Sequence, residues 1–131
     1  DRDSADEIGP LASRKRARRK GDLAHMTTRI LREHPEAKTI RGRSWLYHRE
    51  AYRRLFPPAY VATCESVDEG LSFQGSGCWG QFQTTRGVDQ RACAQLVARL
   101  HELDPEKPWR VMPLVPLAVS APIEMFRKHY G

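Results

Sequence analysis

Apolar residues recur along this 131-residue chain at two different spacings, and each spacing predicts a different kind of element. After Asp22, a helix that Pro35 ends would place four apolar residues on one face: Leu23, Met26, Ile30 and Leu31. A second amphipathic helix follows Asp89, its predicted cap, with an apolar stripe at Ala92, Cys93, Leu96, Val97, Leu100 and Leu103. A last helix is predicted over "APIEMFRKHYG", with Pro122 in its first turn.

Shorter segments with strand character lie between these helices. "KTIRG" predicts a strand that ends at Gly42, and "YVATCESV", Tyr60 to Val67, predicts a strand that pairs with "LSFQ" across a turn at 68–70. "WGQFQTT" predicts another extended segment, and "WRVMPLVPLAV", interrupted by Pro113 and Pro116, predicts an edge strand or an extended connector. We therefore expect an α+β fold, a small mostly antiparallel sheet covered by three or four helices.

Positive charge is concentrated toward the N-terminus. Residues 14–54 hold 14 Lys and Arg against 4 Asp and Glu, whereas the rest of the chain holds 8 against 12. We predict a flexible basic N-terminal arm over residues 1–20 and a single α+β domain over residues 21–131. The run Arg14 to Lys20 is interpreted either as a solvated charge run or as a contact for nucleic acid.

Other features narrow the class of protein. No stretch reaches the ~18 consecutive apolar residues of a membrane span, so we expect a soluble cytoplasmic protein without a membrane partner. Cys64, Cys78 and Cys93 lie far apart, which is typical of reduced thiols inside a cell. The histidines are equally scattered, and no metal site is predicted. Because the chain begins without methionine, it can be a fragment of a longer protein.

The glycines of "FQGSGCWGQF" follow the pattern G-x-G-x-x-G, which raises the question of phosphate binding. A dinucleotide loop requires a helix directly after the glycines, whereas the next predicted helix starts near Asp89. A kinase-type loop would need a lysine and a D-F-G motif that the sequence lacks. We therefore interpret the loop as a hairpin whose glycines allow close backbone approach. Two interpretations of Trp79 stay open: it lies with Gln81 beside a ligand, or it is a half-buried cover of the core.

The segment "RGRSWLYHREAYRRLFPP" combines hydroxyls, aromatic rings and arginines, which bind carboxylates and phosphates in bidentate fashion. We predict that it forms a ligand-binding cleft with the glycine loop. The residues predicted to bind the ligand are Ser44, Trp45, Tyr47, Arg49, Arg53, Trp79 and Gln81. No catalytic residue is assigned, because no serine or cysteine lies in a nucleophile motif.

"EIGPL", a helix ending in "HP" and the segment "SWLYHREAYRRLFPP" together resemble the C-terminal part of bacterial GNAT-type acyltransferase-like proteins over residues 7–60. The resemblance implies a small-molecule-binding or acyltransferase-like domain, acyl-CoA as a cofactor, and Ser44, Trp45 and Leu46 as motif positions. Trp79 departs from that family, whose acyl-CoA loop has a small residue there. Two alternatives stay open: a basic nucleic-acid-associated module and a non-catalytic interaction domain.

Overall fold

A computed structural model describes residues 9–67 and 78–131 of the chain. The helices in this part, in chain order, are α1 (Arg16–Glu33), α2 (Glu50–Arg53), α3 (Pro58–Val61), α4 (Gln90–Arg99) and α5 (Ile123–Tyr130). The strands are β1 (Thr39–Ser44), β2 (Glu65–Ser66), β3 (Gln83–Thr84), β4 (Gly87–Val88) and β5 (Leu117–Pro122). All strand pairs are antiparallel and helices accompany the sheet, so the predicted α+β class is confirmed.

Helix α1 follows a short 3-10 turn at Ser13–Lys15. It begins six residues before Asp22, which lies inside the helix rather than at its cap, because "RARRK" consists of good helix formers. At its other end His34 leaves the helical conformation, as expected of a residue that precedes a proline. The predicted arm boundary at residue 20 therefore falls inside α1, and the flexibility of residues 1–20 stays a prediction.

Three strands form an antiparallel sheet in the order β1-β5-β2, so the last strand of the chain is central. Strands β1 and β5 pair along their whole length, from Thr39 opposite Pro122 to Ser44 opposite Leu117. The prediction of an edge strand in "WRVMPLVPLAV" is wrong for its last residues. Pro113 and Pro116 both precede β5. The backbone of β5 can therefore form hydrogen bonds with β1 on one side and with β2 on the other.

Two other predicted strands are only partly extended in the structure, and both begin with a helical or 3-10 turn. In the range Tyr60 to Val67, only β2 is extended, because Pro58 occupies the first position of the helical turn α3. "WGQFQTT" starts with a 3-10 turn at Trp79–Phe82, and only its residues in β3 pair with β4. The predicted strand "LSFQ" and the first two glycines of the loop lie outside the described residues.

Helix α4 confirms the predicted cap, since the Asp89 carboxylate accepts a hydrogen bond from the Ala92 backbone N–H at 3.0 Å. Its apolar stripe is covered only in its first half. Ala92 is buried and Cys93 and Leu96 are partly buried. In the second half of the stripe, Val97 is 66% exposed. The predicted stripe extends to Leu103, whereas the helix ends at Arg99, and Leu100 and Leu103 lie in and after a 3-10 turn with exposed fractions of 46% and 47%.

Two clusters of buried apolar side chains lie in the described part of the chain. The larger, here called the aromatic core, packs the sheet against the helices and contains Tyr47, Leu55, Phe56, Tyr60, Val61, Val119, Ala121 and Phe126. The second, here called the small core, lies against α4 and contains Cys78, Phe82, Ala92 and Met112. Helix α5 brings Phe126 into the aromatic core and packs against α1, which places α1 over the sheet.

Candidate functional site: a recess with a tyrosine floor

The predicted site residues lie in two chain segments that meet. The first segment follows β1 and holds Ser44, Trp45, Tyr47, Arg49 and Arg53; the second is the 3-10 turn with Trp79 and Gln81. Gly80, between the latter two, faces the first segment, because a Cβ built on it would lie 3.4 Å from Cζ2 of Trp45. The structure therefore brings the two segments together at the indole of Trp45.

Gln81 is directed into the interior, with only 1% of its surface exposed. Its Nε2 donates to the Cys78 carbonyl at 2.9 Å and to the Leu114 carbonyl at 3.3 Å. Its Oε1 accepts from the Leu114 N–H at 2.9 Å. The amide of Gln81 thus joins the 3-10 turn to the segment before β5.

A recess of about 280 Å³ opens between α1 and β1. Its floor is aromatic and consists of Tyr47, Tyr52, Phe56, Tyr60 and Phe126. Leu23 and Met26 of α1 form one wall, and the edge strand β1 forms the other, from Ile40 to Ser44. Ser44 and Tyr47 are the predicted site residues that line it, and Ser44 also accepts a hydrogen bond from the Leu46 N–H at 3.1 Å.

Two buried phenol groups meet beneath this recess. The hydroxyls of Tyr47 and Tyr60 share a hydrogen bond of 2.9 Å, and the two residues are 3% and 2% exposed. Gly42 makes room for them, because a Cβ at this position would overlap the Tyr47 hydroxyl and lie 2.7 Å from that of Tyr60. Tyr47 also forms a hydrogen bond with the Tyr52 hydroxyl, so the two bonds use two of the three phenol protons and one O–H of this group is left to donate to a further acceptor.

Burial determines the protonation of these phenols. It is the largest cause that raises the pKa of Tyr47, and the hydrogen bond with Tyr60 and the nearby Tyr52 raise that pKa further. Burial likewise raises the pKa of Tyr60 and of Tyr52. All three phenols therefore stay protonated near neutral pH, and the recess offers a hydrogen-bond donor rather than a general base.

Arg49, Arg53 and Trp79 are exposed, and these three residues, like the half-buried Trp45 and the buried Gln81, are not among the described residues that line the recess. Arg49 immediately precedes α2 and Arg53 ends it. Burial raises the pKa of the Cys64 thiol, and the charge of Arg53 offsets part of that effect. Trp79 is 40% exposed and packs its ring against Phe82, with 5.8 Å between ring centroids.

Several residues of the recess lie outside the predicted site, and Gly42 is the most informative of them. The strand was predicted to end at this glycine, whereas β1 continues to Ser44. A glycine within a strand indicates a close approach by another group, which here is the pair of phenol hydroxyls. That signal was present in the sequence, but the wall contributed by α1 depends on how the helix packs.

Residues 9–67 and 78–131 contain no group of three or more His, Cys, Asp or Glu side chains that could hold a metal ion. In the same ranges, every helix is too short or too polar to cross a lipid bilayer. Comparisons of the chain with protein-family models, with curated proteins and with solved structures find no match. The resemblance to GNAT-type proteins stays a prediction, and the geometry of the recess carries the functional interpretation of the chain.

Proposed function

We propose that this domain binds a small molecule, with an apolar group on the tyrosine floor of the recess and a negatively charged group at its mouth. The observation that supports this most directly is the recess itself, about 280 Å³ above two phenols that share a single hydrogen bond. An aromatic surface that also has one hydroxyl proton to donate suits a ligand with an apolar body and a carbonyl oxygen.

The size of the recess favours a short ligand group. Sites for drug-sized molecules usually enclose roughly 300–1,000 Å³, and the recess, at about 280 Å³, is just below that range. A short acyl chain would fit, whereas a whole nucleotide would remain mostly outside.

The surroundings of the recess favour an anionic ligand. Arg41 and Arg43 border it and are exposed, on an edge strand that also presents backbone N–H and C=O groups. The recess belongs to the region, residues 14–54, in which cations exceed acidic residues by 14 to 4. Phosphates or a carboxylate outside the recess would therefore lie in a positive field.

Acyl thioesters of coenzyme A are the first ligand class that we propose, on the basis of the GNAT-type resemblance of residues 7–60. In this arrangement the acyl chain would occupy the recess, and the thioester carbonyl would accept the one hydroxyl proton that the hydrogen-bonded group of Tyr47, Tyr52 and Tyr60 leaves free. The phosphates of coenzyme A would stay near Arg41 and Arg43. The proposal concerns binding, and no residue is assigned a catalytic step.

Thermal unfolding with acetyl-CoA, butyryl-CoA, octanoyl-CoA and free coenzyme A tests the proposal. A ligand present at 100 times its Kd should stabilise the fold by about 2.7 kcal/mol. We expect at least one acyl-CoA to stabilise the protein more than free coenzyme A does, since only the acyl form fills the recess. If no compound of the series raises the unfolding temperature, the acyl-CoA proposal is wrong.

Two arginine variants with the same change of charge locate the binding site. Arg41→Gln alters the border of the recess, while Arg91→Gln alters an exposed residue of α4. We expect the first variant to weaken binding of the acyl-CoA and the second to leave it unchanged, as measured by isothermal titration calorimetry. Equal losses in the two variants would indicate a general effect of net charge rather than binding at the recess.

A further inference from the structure

Helix α1 carries basic side chains along its solvent face over most of its length. The exposed residues Arg18, His25, Arg29 and Arg32 form what we call the cationic stripe. At about 100° per residue these positions fall within an arc of about 60°. With a rise of about 1.5 Å per residue, the stripe is about 21 Å long.

The contacts in the described part of the chain compensate little of this charge. Nε of Arg29 and Nη2 of Arg32 share one carboxylate oxygen of Glu33, at 3.0 Å and 3.6 Å. Both arginine side chains are more than two-thirds exposed, at 71% and 73%. Exposed ion pairs of this kind contribute little stability, so the guanidinium groups can exchange the carboxylate for a phosphate. For Arg18, the described residues provide no ion pair.

An open groove of about 450 Å³ follows the part of the stripe from His25 to Arg32, and its lining consists of Ala24, His25, Thr28, Arg29 and Arg32. Ala24 and Thr28 are small, and the Thr28 hydroxyl donates to the Ala24 carbonyl at 3.1 Å, so neither side chain projects far from the helix. An extended anion can therefore approach the helix between its cations.

The charge at the start of α1 is also unfavourable for the isolated helix. Its first turn contains Arg16, Arg18 and Arg19 and no acidic residue. Cations near a helix N-terminus oppose the helix dipole, at roughly 0.3–1 kcal/mol each when exposed. The negative charge of a bound polyanion would compensate this unfavourable interaction. Binding would therefore stabilise the N-terminal turn of α1.

We infer that the cationic stripe is a docking surface for the phosphate backbone of duplex DNA. The three arginines of the stripe are spread over about 21 Å, and such a spread matches an extended polyanion better than a single small anion. Helix α1 contains no Phe, Tyr or Trp, so this face lacks the stacking surface that single-stranded nucleic acids require. The major groove of B-form DNA admits an α-helix, whereas that of an RNA duplex is too narrow.

This surface is separate from the recess. Leu23 and Met26, which line the recess, are about 140° and 80° around the helix from Arg18, so the wall of the recess lies beside the stripe and shares no residue with it. The protein could therefore bind DNA and a small ligand at the same time, and either proposal can fail without the other.

Fluorescence anisotropy of a labelled DNA duplex, measured at several salt concentrations with the full chain, tests the inference. The stripe variant is the triple Arg18→Gln, Arg29→Gln, Arg32→Gln. The control is the triple Arg49→Gln, Arg53→Gln, Arg91→Gln, which removes the same charge from exposed positions on other elements. Circular dichroism checks that both variants keep the fold, since glutamine and arginine have similar helix propensities.

The expected result is a loss of salt dependence that only the stripe variant shows. Three phosphate contacts contribute a slope of about 2.7 in log Kd against log salt concentration, or ~40-fold in Kd between about 50 and 200 mM salt. The stripe variant should lose this contribution, while the control should keep most of the wild-type slope. The acyl-CoA response of the stripe variant should be unchanged, which separates this surface from the recess.

Four outcomes would overturn the inference. These are absence of DNA binding at about 50 mM salt, equal losses in the two triple variants, equal or tighter binding to a single strand of the same sequence, and preferential binding to an RNA duplex. A further measurement compares binding to DNA with binding to vesicles of phosphatidylcholine with phosphatidylserine. Tighter binding to these vesicles than to DNA would identify an anionic membrane surface as the partner instead.

Discussion

The aromatic core and the small core belong to one chain but are stabilised by different means. In the aromatic core, rings of Tyr and Phe contact one another closely, as Tyr60 and Phe126 do at 4.8 Å and Tyr52 and Phe56 at 4.9 Å between centroids. The small core has four buried side chains, and Trp79, whose ring packs against Phe82 of this core, is 40% exposed. It therefore buries much less apolar surface.

Long polar side chains replace apolar burial around the small core. The amide of Gln81 forms three hydrogen bonds with the backbone of Cys78 and Leu114. The guanidinium of Arg99 donates to the carbonyls of Arg110 at 2.6 Å and Met112 at 3.2 Å. The comparison indicates that packing of buried rings stabilises the aromatic core. Side-chain hydrogen bonds to the backbone stabilise the small core.

The largest predicted effect concerns alkaline pH and the aromatic core. The chain has four tyrosines, and in the folded protein the pKa of every one is raised, mainly by burial. A raised pKa means that the folded state keeps its proton while the unfolded state loses it. Stability is then fully present below about pH 10 and falls as the pH rises above that value. For the two most buried phenols, Tyr47 and Tyr60, the loss is about 1.4 kcal/mol each per pH unit.

Urea unfolding at a series of pH values, followed by circular dichroism, measures this fall in the free energy of unfolding. Near-UV absorbance should show tyrosinate only as the protein unfolds. In urea, all the tyrosines should titrate near the ordinary pKa of about 10. Tyr47→Phe is the control variant, and its stability should fall less steeply with pH. A tyrosine that ionises near pH 10 in the folded protein would contradict the account of the aromatic core.

The next effect in size tests the close approach of the two phenols to β1. Gly42→Ala should destabilise the fold by roughly 3 kcal/mol, because the new methyl group would overlap buried hydroxyls held by neighbouring rings. Gly21→Ala is the matched control, since no atom lies within 4 Å of a Cβ at that helical position. The control should stabilise the protein by roughly 0.5–1 kcal/mol.

Chemical denaturation of both glycine variants gives the comparison directly. If Gly42→Ala has the same stability as the wild type, the phenol pair is free to move and does not form a fixed floor for the recess. The double variant Gly42→Ala, Tyr60→Phe tests the contribution of one hydroxyl to this loss. Removing the Tyr60 hydroxyl should recover part of the lost stability.

Local patterns predicted the helices and one long strand well. The apolar spacing after Asp22 and the cap at Asp89 each identified a helix that the structure contains, although the first helix starts earlier. These elements depend on nearest-neighbour propensity and on residues on the same face, both of which can be read from the sequence alone.

The errors arise where distant contacts determine the conformation. Tyr60 and Val61 have strand-like side chains but lie in α3, because Pro58 starts a helical turn and Tyr60 then reaches the aromatic core. The role predicted for Gln81, contact with a ligand, stays a prediction; its burial was not predicted, because it depends on a partner 33 positions away in the chain. Of the candidate site, the sequence indicated Ser44 and Tyr47, whereas the contribution of α1 requires the packing of α1 over the sheet.

The smallest effect tests the hydrogen bonds around the small core. Gln81→Met keeps a similar side-chain volume but removes the amide, so the Leu114 N–H and the carbonyls of Cys78 and Leu114 lose a buried partner. Leaving buried backbone groups unpaired costs about 2 kcal/mol, and the free energy of unfolding in urea should fall by that amount. Gln83→Met, at an exposed position of β3, is the matched control and should change stability by less than about 0.5 kcal/mol.

Hydrogen exchange locates the effect of the Gln81 variant. Since Gln81 contacts the 3-10 turn and the segment before β5, Gln81→Met should increase hydrogen exchange there and leave the amides of β1 protected. Equal stability of the two glutamine variants would mean that apolar packing alone holds the small core, and the contrast between the two regions would be lost.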